Sequence, residues 1–133
     1  MALTNIWAEA TRAQRKAAGL TNDNSNITNP AAPIVIAASG AVDPRTSATY
    51  VITKAGVAAL TLAAPVATSD DGIRIYIFSN TANAHTLTAT GLLNTGSASV
   101  NLATFAASAG AGVVLYAYQG KWMVESQIGI TFS

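Results

Sequence analysis

The sequence predicts an all-β domain, an antiparallel β-sandwich or jelly-roll-like barrel, preceded by an N-terminal helix on an extended arm. Three observations predict this. Between Asp71 and Phe132, short runs rich in Ile, Val, Thr, Ala and Tyr alternate with turns: Ile73–Ser79, His85–Gly91, Ala98–Ala103, Gly112–Gln119 and Lys121–Ile128. β-branched and aromatic residues suit a pleated, packed surface, and strands at this spacing indicate a sandwich or barrel. Before them, Leu3, Ile6, Trp7, Ala10, Ala13 and Ala17 recur at helical spacing. Between the two patterns, Leu20 to Pro33 has turn-forming rather than periodic composition.

The first segment reads as an amphipathic helix. Thr4 suits its N-cap and Gly19 the residue past its end. Asn5, Glu9, Arg12 and Lys16 fall opposite the apolar stripe, and Arg15 and Lys16 favour the negative end of the helix dipole. A helix this short is marginal alone in water, so Ile6 and Trp7 need a surface to dock on, either the chain's own β-domain or a neighbouring subunit. The Asn-rich stretch Thr21–Asn26 favours local side-chain turns, and Pro30 and Pro33 push the residues before them toward extended backbone. The organisation expected is therefore a helix and arm over 1–33 and a β-domain over 34–133.

Within that domain Ile34–Ala38 reads as a short strand. Thr49–Thr53 and Val57–Ala63 read as a hairpin about Lys54-Ala55-Gly56, with Leu60 and Leu62 on one face. On the Ile73 strand, Ile73, Ile75 and Ile77 share one face and Arg74, Tyr76 and Phe78 the other. The Gly112 strand carries Val113, Leu115 and Ala117 on one side and Val114, Tyr116 and Tyr118 on the other. A sheet with one wet face alternates apolar and polar residues. These two strands are apolar on both faces, which calls for a second layer over Tyr76, Phe78, Val114, Tyr116 and Tyr118: the second sheet of a sandwich, the helix or another subunit. On the last strand, Trp122, Val124, Ser126 and Ile128 are expected inward and Lys121, Met123, Glu125 and Gln127 outward. Gln119-Gly120 reads as its two-residue hairpin turn. A β-helix is set aside because no fixed short repeat period is present.

Composition narrows the function classes. The 133 residues suit one domain, and with no cysteine there is neither a disulfide nor a thiolate metal site. Charged residues are 10% of the chain, well under the usual ~25%, which fits surface covered by partner subunits or else a compact β-domain with a Thr/Ser/Asn surface. A net charge of +1 without a basic patch argues against nucleic-acid binding. No uncharged apolar run reaches the ~18 residues of a membrane helix, and the N-terminus lacks the pattern of a secretory signal. His85, the one histidine, has no second histidine or cysteine to join it on a metal. Asp70 and Asp71 read as turn-shaping neighbours of Gly72 rather than paired catalytic carboxylates. Gly110-Ala111-Gly112 lacks the third glycine and the following helix of a dinucleotide loop. No catalytic residue, cofactor or metal is expected.

Four motifs in series carry a resemblance: Asp71-Gly72-Ile73-Arg74-Ile75-Tyr76-Ile77, His85-Thr86-Leu87-Thr88, Gly112-Val113-Val114-Leu115-Tyr116 and Gly120-Lys121-Trp122-Met123-Val124. From Val51 to Phe132 the order and spacing resemble a β-domain of tailed-bacteriophage structural proteins, most of all the small capsid decoration (cement) proteins. The resemblance implies a non-enzymatic virion component assembled in the host cytoplasm, a homo-oligomer, often a trimer, seated on the major capsid protein. Under it, Ile6, Trp7, Arg12, Arg15 and Lys16 are the expected anchors to capsid or neighbour, and Tyr76, Phe78, Val114, Tyr116 and Tyr118 the expected subunit interface. The alternative is a tail- or head-fibre module whose exposed tyrosines bind a receptor or glycan.

Overall fold

The computed structural model describes residues 32–43 and 47–133. The expected helix, and with it Ile6, Trp7, Arg12, Arg15 and Lys16, lies outside the described residues. All strands belong to the compact unit Pro33–Ser133. The described residues are all-β: 56% of them are strand, none is helical, and the strands form one curled mixed sheet, a half-barrel.

Ten strands follow in order: β1 (Ile34–Ile36), β2 (Gly40–Val42), β3 (Ala48–Ile52), β4 (Ala59–Leu62), β5 (Arg74–Ser79), β6 (Thr86–Asn94), β7 (Ser99–Phe105), β8 (Gly112–Tyr118), β9 (Lys121–Ile128) and β10 (Ile130–Phe132). Their pairing is not the antiparallel one expected. The first six strands alternate between two parallel ladders, β1-β3-β5 and β2-β4-β6, so the chain winds as a coil of two walls. Lys54-Ala55-Gly56 therefore does not turn a hairpin. It carries the chain from one wall to the other, because β3 pairs β1 and β5 while β4 pairs β2 and β6. From the second turn of the coil to the third, both walls advance by 27 residues: Ala48 pairs with Ile75 and Ala59 with Thr86. From the first turn to the second the advance is 16 on one wall, Ile34 to Tyr50, and 20 on the other, Gly40 to Leu60.

The last four strands close one end of this coil by antiparallel pairing. β8 lies against β5, β7 against β6, and β10 against β7. β9 joins the walls: it is antiparallel to β8 and, at Leu93↔Trp122, parallel to β6. The β8–β9 turn is the expected Gln119-Gly120 pair, with φ of 47° and 78°, the positive-φ geometry that matches strand twist.

The core fills the space between the walls. Ile52, Ile75, Ile77, Val113 and Leu115 from one wall and Leu60, Leu87, Leu93 and Phe105 from the other are buried, with Trp122 between. The Trp122 indole N–H donates to the Ala63 carbonyl at 2.9 Å, which satisfies its one polar group. Every buried side-chain polar atom among the described residues has a hydrogen-bond partner.

Candidate interaction surface

The expected doubly apolar strands are adjacent. β5 lies beside β8 with Ile75 opposite Leu115 and Tyr76 opposite Val114. Because side chains alternate, one register fixes two faces. Ile75, Ile77, Val113 and Leu115 go inward and are fully buried, while Tyr76, Phe78, Val114, Tyr116 and Tyr118 share the outer face. The structure thus brings the five residues together on one surface. Tyr118 is 53% exposed and Tyr76 36%, and the other three are partly covered by their neighbours.

The register extends the apolar face beyond these five. One row across the sheet reads Val35, Val51, Phe78, Gly112 and Ile128, and the next Thr49, Tyr76, Val114 and Ser126. Val35 is 60% exposed and Ile128 70%. Ile128 was expected inward with Trp122, and so was Ser126. A β-bulge reverses both: Leu115 pairs with Val124 but Val114 with Ser126, leaving Glu125 as the extra residue. The residues beyond it change face. The Gln127 side-chain oxygen accepts from the Ile130 N–H at 3.0 Å.

Gly112 makes room for the rings. A Cβ there would stand 2.9 Å from the Tyr76 ring and 3.0 Å from both the Ile77 carbonyl oxygen and Phe78 Cβ. The rings of Tyr76 and Phe78 stack across this space with centroids 5.3 Å apart and planes 29° apart. Gly112→Ala is therefore expected to push the pair apart and to destabilise the domain by about 1–3 kcal/mol, the usual range for overpacking. Urea denaturation measures it. Between Tyr76 and Ile128 the surface dips into a groove of about 100 Å³, floored by Val114 and edged by Ser126 and Gln127.

Polar groups border the patch on one side. The Arg74 guanidinium holds the Glu125 carboxylate through Nε–Oε2 and Nη2–Oε1, each 2.8 Å, and lies 5.5 Å from the centre of the Tyr116 ring. Arg74 and Glu125 are 54% and 43% exposed, so water screens the pair. Its value is orientation, since exposed pairs contribute at most ~1 kcal/mol.

The two aspartates do shape a turn, closing the one that begins at Val66. Asp70 accepts from the Val66 N–H at 2.6 Å. Asp71 accepts from the Thr68 N–H at 3.2 Å, the Gln119 N–H at 2.7 Å and the Gln119 side-chain amide at 2.6 Å. Asp71 thereby ties the loop before β5 to the β8–β9 turn. His85 is fully buried immediately before β6, with both ring nitrogens hydrogen-bonded. Among the described residues no three His, Cys, Asp or Glu side chains converge on a point that could hold a metal ion. A larger opening, about 490 Å³, lies at β1 and β2 against Val42, Tyr50 and Leu60; its lining is mainly aliphatic.

No family model and no curated protein matches this chain.

Proposed function

We propose that this protein is a non-enzymatic virion structural protein, a decoration or cement protein on the outer surface of a phage capsid. The observation that supports it most is the outer face of β5 and β8. A sheet already packed on a complete core presents Tyr76, Phe78, Val114, Tyr116 and Tyr118 on its other side, continued by Val35, Val51 and Ile128. Exposed apolar surface of this continuity marks an interaction site. Aromatic side chains supply large contact area at interfaces. In this reading the β-domains pack on one another through that face, as a trimer, and the oligomer sits on major capsid subunits.

The N-terminal segment supplies the second attachment. Ile6 and Trp7 anchor it in a hydrophobic recess of the shell or of a neighbouring copy, and Arg12, Arg15 and Lys16 meet acidic capsid surface. Several weak attachments made together give avidity that none has alone. Deleting residues 1–19 is expected to lower occupancy on capsids at least tenfold at equal protein concentration, while leaving the oligomer and its fold intact. Quantitative co-sedimentation with capsids lacking the protein measures this; undiminished occupancy would remove the segment as an anchor.

The exposed ring of Tyr76 on a groove lined also by Ser126 and Gln127, with the exposed Tyr118 on the same face, favours one second reading, a fibre module that stacks a sugar on this face. Glycan-array binding that Tyr→Ala changes abolish would select it over the first.

A further inference from the structure

We infer that His85 is a pH-sensitive latch, which clasps two stacked corners of the coil while its ring is neutral and releases them when the ring takes a second proton. The inference goes beyond the virion role and does not rest on it. The two corners are residues 53–58, between β3 and β4, and 80–85, between β5 and β6. Ala58 and His85 occupy equivalent places one turn of the coil apart, and the Ala58 N–H donates to His85 Nδ1 at 3.0 Å. The Thr86 N–H donates back to the Ala58 carbonyl at 2.9 Å, and the Phe105 N–H donates to the His85 carbonyl at 2.8 Å. One residue thus links β4, β6 and β7.

The tautomer follows from these partners. Nδ1 accepts from a backbone N–H, so the proton of the neutral ring is on Nε2. Nε2–H donates to the Thr81 hydroxyl oxygen at 2.8 Å. Thr81 is itself fixed, its N–H donating to Ser79 Oγ at 3.1 Å and its carbonyl accepting from the Ser79 hydroxyl at 2.6 Å. A second proton has one place to go, Nδ1, where it would point at the Ala58 N–H. Two donors would then face each other and the clasp is lost. The ring has no exposed surface, and its edge stands on Phe105 with centroids 6.3 Å apart, so water does not replace the lost partner while the corner stays closed. Among the described residues, the groups facing the ring give the cation no support. The β3–β4 corner brings Lys54, whose ammonium is held on the Val57 carbonyl at 2.9 Å, while Ser79, Thr81 and Phe105 from the other elements are neutral.

Burial first and Lys54 second hold the His85 ring below the ordinary histidine value. The closed state therefore stays neutral at a pH where an opened or unfolded chain, titrating near ~6.5, already binds the proton. The latch is at full strength above ~6.5 and weakens as pH falls from there through the lowered folded value. One proton of difference raises the opened population by up to about tenfold per pH unit in that window.

Amide hydrogen exchange by NMR on the full chain, between about pH 5 and pH 8, tests this in the range where histidine titrates. With intrinsic exchange chemistry corrected, Ala58 and Thr86 are expected to lose protection by up to tenfold per pH unit below ~6.5, while Ile77 and Leu115 on the far wall keep theirs. His85→Asn places an oxygen where Nδ1 accepts and removes the titration, so its protection at Ala58 should be flat across the range. Should that variant not fold, the wild type alone decides: a nitrogen-detected titration of its imidazole should show the Nε2–H form persisting below ~6.5 and disappearing together with Ala58 protection. A ring that titrates at the ordinary value, or one that protonates while Ala58 remains protected, overturns the inference.

Discussion

Trp122→Ala is expected to remove about 3–5 kcal/mol of stability, the range for truncating a large buried aromatic residue, and so a large part of the ~5–15 kcal/mol that holds a domain. Trp122 is fully buried and stands where β9 joins the two walls, opposite Ala117 on β8 and Leu93 on β6. Truncation opens a cavity at that seam. It also removes the donor to the Ala63 carbonyl, the one link from the indole to the segment after β4. Trp122→Phe retains most of the apolar volume and forfeits the hydrogen bond, so it should destabilise by a smaller amount, ~1–2 kcal/mol. Urea denaturation of the pair measures both. Equal effects from the two variants would mean that the indole N–H, and not the volume at the seam, is what matters.

Tyr116→Glu is expected to dissociate the proposed oligomer without unfolding its subunits, and Phe78→Glu to act in the same direction. An unpaired carboxylate buried in an apolar contact destabilises it by about 3 kcal/mol or more, which weakens association roughly a hundredfold. Within one subunit the change at Tyr116 is mild. The side chain is on the outer face and only partly covered, so in a lone subunit water solvates the carboxylate, while Arg74 stays engaged with Glu125. Light scattering gives the mass and circular dichroism the fold. A wild type that is monomeric at every concentration would sink the self-association outright. A variant that keeps the wild-type mass would move the contact away from β5 and β8.

The strands were legible from side-chain alternation, because which face a residue occupies depends on its immediate neighbours. Ile75 and Ile77 inward with Tyr76 and Phe78 outward needs no knowledge of the pairing partner. The Gln119-Gly120 turn was legible for the same local reason. Pairing is not local. β3 and β4 look like a hairpin because a short glycine-containing connection separates them, yet each pairs with the strand two before it and the strand two after it. A coil announces itself in sequence by a fixed repeat length. This one advances by 27 residues on both walls at one step and by 16 and 20 at the other, and its last strands turn antiparallel, so no period survives to be read.

The interaction surface was half legible. Its centre, Tyr76 to Tyr118, follows from two strands apolar on both sides. Its margin does not. Ile128 reaches the outer face because Glu125 is an extra residue in the β8–β9 ladder, and a bulge is visible only once the partner strand is known. Val35 and Val51 join it only through the parallel register of β1, β3 and β5. The one local sign of this surface beyond alternation is Gly112, the first residue of β8, which stands where a neighbouring ring comes close.

The measurement that bears most directly on the proposed role is imaging of purified phage particles that carry this protein. The account predicts an ordered layer on the capsid exterior, with copies at symmetry-related positions over the whole shell and the outer faces of β5 and β8 turned toward one another within each oligomer. Finding the protein confined to a tail or fibre, or absent from the particle, would contradict it.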